Sequence, residues 1–264
     1  MVSDLTLGQY YPGQSIIHRL DPRTKLVAAL LLMTALLITN RLVIVPGFAV
    51  LILIITALSG IPFTLVLRNL RPFIWLFVLT FLVHLFWTPG ETIFLVPGTS
   101  WTVTREGFLL GTQYTVRLAV LIVLAALLTL STLPIELADA LERLIKPLKR
   151  FGVPVHEMVM MLTLSLRFIP TLIEETQRLK NAQLSRGATF EGNLMEKMRS
   201  IVPLIVPLFV SAFRRADDLA LAMDSRCYHG GEGRSSFKSY RFGVGDYAVS
   251  GFCLIILCCC IIAA

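Results

Sequence analysis

Two stretches place an arginine where a helical pattern stops: Ser185-Arg186-Gly187 and, forty residues on, Ser225-Arg226-Cys227. A guanidinium stays charged at any physiological pH and presents five donors in a planar fork, a shape that matches a carboxylate. At an exposed helix tip such a fork suits a carboxylate-lined groove on a partner. The same residue type also complements the partial negative charge of a helix C-terminus, so one such arginine alone reads as dipole capping. Two in succession, with similar flanks, favour a shared docking role. Gly187 is a usual C-terminal stop.

A third cation, Arg117, lies near the middle of an apolar run. A charge in lipid is costly and turns toward the bundle interior. The expectation is a structural role with a partner inside the bundle that the sequence does not name; a substrate or ion role is the alternative. Other groups carry no chemistry. "HGGEGRSS" (229–236) lacks the GxxxxGK[ST] spacing and follows a helix, so it reads as a connector. His84, His156 and His229 have no ligand-like neighbours. Cys253, Cys258, Cys259 and Cys260 lie in the last apolar run without a CxxC pair or Cys/His cluster, and read as soft apolar side chains in lipid. No HExxH, GxSxG or paired-carboxylate arrangement occurs. No catalytic residue, metal site or cofactor is therefore expected in this chain, and no nucleic-acid partner.

The elements that must position these residues are mostly apolar. The chain is 55% hydrophobic with a mean hydropathy of +0.74, more than a soluble domain of 264 residues can bury. A crossing helix needs roughly 20 apolar residues. Leu26–Leu58 would be about 50 Å long as one helix, too long for one crossing, so "TNR" (39–41) reads as a turn between two short spans. Further spans are expected at 72–88, at about 108–130 and at about 244–264. Trp75 and Trp87 near the ends of the third suit the interfacial aromatic belt. "VPGTSWTV" (96–103) reads as short extended structure. "MVSDLTLGQYYPG" is polar and does not read as a cleavable signal peptide.

Residues 131–243 differ, with 16 Lys/Arg and 12 Asp/Glu. Three amphipathic helices are expected there. The first, 134–149, has its acids early and its bases late, in the order the helix dipole favours. The second, about 155–186, contains Pro170 and should kink or split there. The third, about 203–225, keeps Ile205, Leu208, Phe209, Ala212, Ala216, Leu219, Ala220 and Met223 on one side. With the N-terminus inside, the short loops hold five bases inside (Arg19, Arg23, Lys25, Arg68, Arg71) against two outside (Arg41, Arg105). The expected organisation is an all-α multipass membrane protein with about five transmembrane helices. Residues 1–130 form four spans, 131–243 a cytoplasmic domain of long amphipathic helices, and 244–264 the last span, with the C-terminus outside.

The sequence resembles the transmembrane T component of energy-coupling factor (ECF) transporters, in the cobalt and nickel transport permease family. The resemblance runs over nearly the whole chain, through "HRLDPRTKL" (18–26), "ELADALERLIKPLKRFGVPVHE" (136–157), "SLRFIPTLIEETQRLKNAQLSRG" (165–187) and "PLIVPLFVSAFRRADDLALAMDSR" (203–226). It implies that 131–243 is a coupling domain and that Arg186 and Arg226 each dock into a groove on one of two ABC-type ATPase subunits, flanked by Ser185/Gly187 and Ser225/Cys227. It also implies that ATP and Mg are bound by those partners, and that a separate membrane S component binds the substrate, a vitamin or a transition-metal ion. Serine stands where the family motif has alanine, and Cys227 where it has the second glycine. Two other function classes remain: a self-contained permease with Arg117 lining a pathway, and a membrane enzyme acting on phosphorylated substrates at its basic face.

Overall fold

Asp21-Pro22 starts the first long helix through its own chemistry. The Asp21 carboxylate accepts a hydrogen bond from the Arg23 backbone N–H at 2.9 Å, and Pro22 occupies the first turn, where its missing N–H costs nothing. From there the chain is almost entirely helical. The computed structural model describes residues 10–39, 41–95, 102–152, 154–188, 194–230 and 242–263. In order these form α1 (Ile16–Arg19), α2 (Pro22–Ile38), α3 (Ile44–Ser59), α4 (Phe63–Leu70), α5 (Ile74–Trp87), β1 (Thr92–Leu95), β2 (Thr102–Thr104), α6 (Arg105–Ser131), α7 (Pro134–Ile145), α8 (Val155–Ser185), α9 (Leu194–Asp224) and α10 (Val244–Ala263). Tight 3-10 turns occupy Arg71–Phe73 and Lys146–Phe151. The described residues form two compact units, 10–140 with 242–263, and 141–230.

In the first unit the turn expected at 39–41 separates α2 from α3; Asn40 lies outside the described residues. The third span starts earlier than residue 72. The 3-10 turn at Arg71-Pro72-Phe73 carries α4 directly into α5, and a proline in a first turn gives up no needed bond. An antiparallel β1–β2 pair joins α5 to α6, with Leu95 opposite Thr102; residues 96–101 of the "VPGTSWTV" stretch lie outside the described residues. The Thr104 side chain caps α6 by accepting from the Gly107 N–H at 3.1 Å. A Cβ on Gly107 would stand 2.7 Å from the His84 carbonyl oxygen, so glycine is what allows α5 to approach α6 there.

Four helical stretches among the described residues are long and apolar enough to cross a membrane: Phe63–Trp87, Arg105–Ser131, Val155–Ser185 and Val244–Ile262. The helix Ile44–Ser59 is apolar but shorter. The core of the first unit is built from Leu32 and Leu36 of α2, Val45, Phe48 and Ile52 of α3, Val120, Leu124, Leu127 and Leu130 of α6, and Cys253 and Cys260 of α10. Lipid tails are as apolar as these side chains, so close packing and hydrogen bonds hold such helices together. Cys253 and Cys260 thus fill the core, while Cys258 and Cys259 are exposed; all five cysteines are free thiols.

In the second unit α8 is not split at Pro170. One lost backbone bond is absorbed within a helix of 31 residues. Its first half carries the apolar composition; Glu174, Glu175, Arg178 and Lys180 follow. The next helix, α9, begins at Leu194 rather than near 203, and contains Pro203 and Pro207 without interruption. Its shielded stripe is also rotated from the expected one. The half-buried residues from 204 onward are Leu204, Leu208, Ser211, Ala212, Arg215, Leu219 and Met223, whereas Ile205 and Phe209 are exposed, Phe209 by 60%. A single charged residue in the stripe, Arg215, accounts for the rotation.

Candidate functional site

The two arginine tips end in the same turn. At the first, α8 stops at Ser185, Gly187 adopts φ +85°, and the Ala188 N–H donates to the Gln183 carbonyl at 3.0 Å. The Gly187 N–H donates to the Leu184 carbonyl, also at 3.0 Å. At the second, α9 stops at Asp224 and Cys227 adopts φ +54°. The Tyr228 N–H donates to the Met223 carbonyl at 3.1 Å, and the Cys227 N–H to the Asp224 carbonyl at 2.9 Å. Bond for bond these are two Schellman closures, with Arg186 and Arg226 at the same cap position and a left-handed residue after each. Ser185 and Ser225 also match: each hydroxyl bonds back to a carbonyl of its own helix, Asn181 and Ala222, at 3.1 Å.

The closure leaves the arginine side chains unused. Backbone N–H groups satisfy the last carbonyls, both arginines are exposed, and neither guanidinium has a hydrogen-bond or ion-pair partner among the described residues. Capping is therefore not what holds these tips.

Behind the tips, α8 and α9 pack against each other and are joined by Arg215, which donates to the Glu175 carboxylate at 2.6 Å. Arg215 lies eleven residues before Arg226, and Glu175 eleven before Arg186. Each tip thus extends about 16 Å beyond the ion pair, given a rise of about 1.5 Å per residue. The second tip has one more tie: the Tyr228 hydroxyl donates to Met160 Sδ of α8 at 3.1 Å. Neither contact is expected from the sequence. Equal spacing of an acid and a base from two like motifs was the available signal for the first; no local pattern signals the second.

Arg117 finds its partner inside the bundle. It is only 8% exposed, donates to the Thr39 carbonyl at the end of α2, and lies 5.1 Å from the Tyr114 ring centre. Lys25, which the sequence reading had only counted as a charge, does the converse. Its Nζ donates to the Ser131 carbonyl at the end of α6 at 2.9 Å, and to the His18 carbonyl at 3.1 Å. The two helices α2 and α6 thus cap each other's C-termini. Asp246 of α10 joins the same end of the bundle by accepting from the backbone N–H groups of Asp21 at 3.0 Å and Gly243 at 2.8 Å.

The histidines serve locally. His84 contacts the Thr80 carbonyl, and His156 pairs with Glu142 at 3.0 Å, linking the end of α7 to α8. No group of three or more His, Cys, Asp or Glu among the described residues could hold a metal ion. Residues 231–236 of the glycine-rich stretch lie outside the described residues.

Comparison with known proteins agrees with this architecture. A family model described as cobalt transport protein (CbiQ) matches residues 13–237. The energy-coupling factor transporter transmembrane protein EcfT of Acidaminococcus fermentans is 46% identical, covering 97% of this chain and 95% of its own. EcfT of Heliobacterium modesticaldum is 49% identical over 95% and 94% of the two chains, and EcfT of Bacillus subtilis 42% over 94% of each. With a family match over most of its length and such relatives from end to end, this chain belongs to the CbiQ family of cobalt transport proteins, together with the EcfT transmembrane components.

Proposed function

We propose that this chain is the transmembrane coupling subunit of an ECF-type ABC importer. Arg186 and Arg226, flanked by Ser185/Gly187 and Ser225/Cys227, each enter an acidic groove on one of two cytoplasmic ATPase subunits. Those partners bind ATP and Mg; this chain carries out no covalent chemistry and holds no cofactor. A separate S component binds the substrate, a vitamin or a transition-metal ion, against the apolar surface of α8 and α9, where Met158, Met161, Phe209 and Phe213 are exposed. Closure of the ATPases then moves the two linked helices as rigid arms and tilts what rests on them. The N-terminus and residues 131–243 face the cytoplasm and the C-terminus faces outward, in keeping with the bases of the short loops.

The observation that carries this reading is the pair of like, self-closed helix ends, each presenting an arginine with no side-chain partner among the described residues. A permease in which Arg117 lines a pathway is disfavoured by the bond from that guanidinium to the end of α2.

The test is charge reversal at both tips. Like charges juxtaposed at an interface cost several kcal/mol. Either Arg186→Glu or Arg226→Glu alone leaves the other tip holding the linked ATPase pair, so much of the complex should still co-purify while ATP-driven uptake in vesicles falls. The double variant should lose the ATPase subunits and all uptake, yet keep the S component. A double variant that assembles and transports like the parent would overturn the docking role.

A further inference from the structure

We propose that the charges behind the two arginine tips sort the two ATPase subunits, α8 fitting a groove with an acidic wall and α9 one with a basic wall. The tips alone do not distinguish two grooves, because their closures match bond for bond and both present an arginine. The residues behind them differ. Counted back from the tip arginines, Glu174 and Glu175 of α8 stand where α9 has Arg214 and Arg215, and Arg178 stands where α9 has Asp218. Position for position, the sign of the charge is inverted. Glu175 and Arg215 pair with each other at 2.6 Å. Between that pair and the tips the two helices carry opposite surfaces. On α8, residues 176–186 hold Arg178, Lys180 and Arg186 and no acid. On α9, residues 216–226 hold Asp217, Asp218 and Asp224, with Arg226 as the one base.

These charges do not all serve their own helices. A helix C-terminus carries partial negative charge, so bases suit the end of α8, whereas acids oppose the end of α9, most of all Asp224 in its last turn. Glu174 with Arg178, and Arg214 with Asp218, have the i,i+4 spacing of helical ion pairs, yet neither pair forms. Arg178, Asp217, Asp218 and Asp224 are exposed and have no hydrogen-bond or ion-pair partner among the described residues. Arg178 and Asp218 each lie eight residues before their tip arginine, about 12 Å along the axis, near enough to meet the wall of a groove that receives the tip. The groove for α8 therefore has carboxylates on its floor and its wall. The groove for α9 has a carboxylate floor and Lys or Arg on its wall. With the wrong arm, either wall meets like charge, and charge matching of this kind sets partner choice more than affinity. The inference rests on the docking proposed above and adds which partner each arm takes.

The test uses the full chain purified with its ATPase subunits, with photoreactive benzoylphenylalanine in place of Ala182 or Ala222. These positions are exposed, match in register and lie one turn beyond Arg178 and Asp218. Each should capture a different ATPase chain, identified by mass. Arg178→Asp with Asp218→Arg should lower the ratio of the two adducts at each position on the order of fivefold. Arg178→Lys with Asp218→Glu keeps both signs and should keep the ratio, which separates charge from misfolding. In the parent chain the ratio should also narrow at about 1 M salt, where the screening length falls to about 3 Å. Capture of the same ATPase chain at both positions, or of equal amounts of two, overturns the sorting and leaves the docking in place. A ratio unmoved by the Arg178→Asp, Asp218→Arg exchange and by salt overturns the sorting as well, since shape would then make the choice. No ATPase adduct at either position overturns the docking and the sorting together.

Discussion

The long helices of this protein end in two opposite ways. In the membrane unit, α2 and α6 close with cations borrowed from each other: Arg117 reaches the Thr39 carbonyl and Lys25 the Ser131 carbonyl. In the second unit, α8 and α9 close with their own backbone N–H groups, and Arg186 and Arg226 are left over. The difference follows from the solvent. Where water is excluded, a carbonyl without a partner costs several kcal/mol, so a charge spent on it is well placed. At a water-facing tip the dipole term is only about 0.3–1 kcal/mol. An arginine at a helix end is therefore neither a cap nor a plug by itself. What the backbone has already satisfied decides which it is.

The largest way to break that comparison is to exchange the fates of the two kinds of arginine. Arg117→Leu leaves the Thr39 carbonyl unpaired in the bundle and should cost about 1–3 kcal/mol. The yield of monodisperse protein and its melting temperature in detergent should fall together, with partial recovery in Arg117→Lys. Arg186→Leu should leave both at the parent level, because no carbonyl depends on it, while ATPase co-purification weakens. A stable Arg117→Leu protein, or an Arg186→Leu protein that melts early, would erase the distinction.

This contrast was half legible in the sequence. The Ser-Arg tips, the apolar helices α3, α5, α6 and α10 and the internal role of Arg117 could be read from local pattern, because helix ends, apolar runs and a lone charge in lipid each leave a mark on neighbouring residues; α8, read only as amphipathic, is also long and apolar enough to cross a membrane. The partners could not. Thr39 lies 78 residues from Arg117 and Ser131 lies 106 from Lys25, and nothing local ties either pair together. The same limit misplaced two helix starts. Pro72 and Pro203 read as boundaries from propensity, yet a 3-10 turn and a long packed helix carry the chain through them. The rotated stripe of α9 had the same origin: periodicity over apolar residues alone assigns Arg215 to water, whereas its pairing with Glu175 draws it into the seam.

That pairing gives the next effect in size. If Glu175–Arg215 fixes the angle between two arms of equal length, then Glu175→Gln or Arg215→Gln should lower uptake per ATP hydrolysed more than it lowers ATPase co-purification. The pair is partly exposed, so a double-mutant cycle on stability should give the lower end of about 0.5–3 kcal/mol. The exchange of both residues, Glu175→Arg with Arg215→Glu, should restore coupling. Uptake and co-purification that fall in parallel in the single variants, without recovery in the exchange, would show that the pair supports the fold and not the spacing of the tips.

The smallest effect concerns how the same turn is made from different residues. Gly187 enters the left-handed region freely, and a Cβ built on it meets nothing within 4 Å, so Gly187→Ala is opposed by φ alone. Cys227 occupies that region against a cost of about 1–2 kcal/mol. Glycine there would remove the cost but add about 0.5–1 kcal/mol of chain entropy. The net gain of Cys227→Gly is thus about 0–1.5 kcal/mol, and uptake should be unchanged or slightly better. The second tip tolerates its strained residue because Tyr228 ties it to Met160 of α8, a hold for which Ala188 at the first tip has no hydroxyl. Tyr228→Phe should therefore loosen the 223–228 turn, read as amide exchange about two- to fivefold faster there. Adding Cys227→Gly to Tyr228→Phe should recover most of that protection, since the strain it opposed is gone. If Tyr228→Phe leaves exchange at 223–228 unchanged, the closure at Cys227 is held by the backbone bonds alone, and the two tips are equivalent in energy as well as in form.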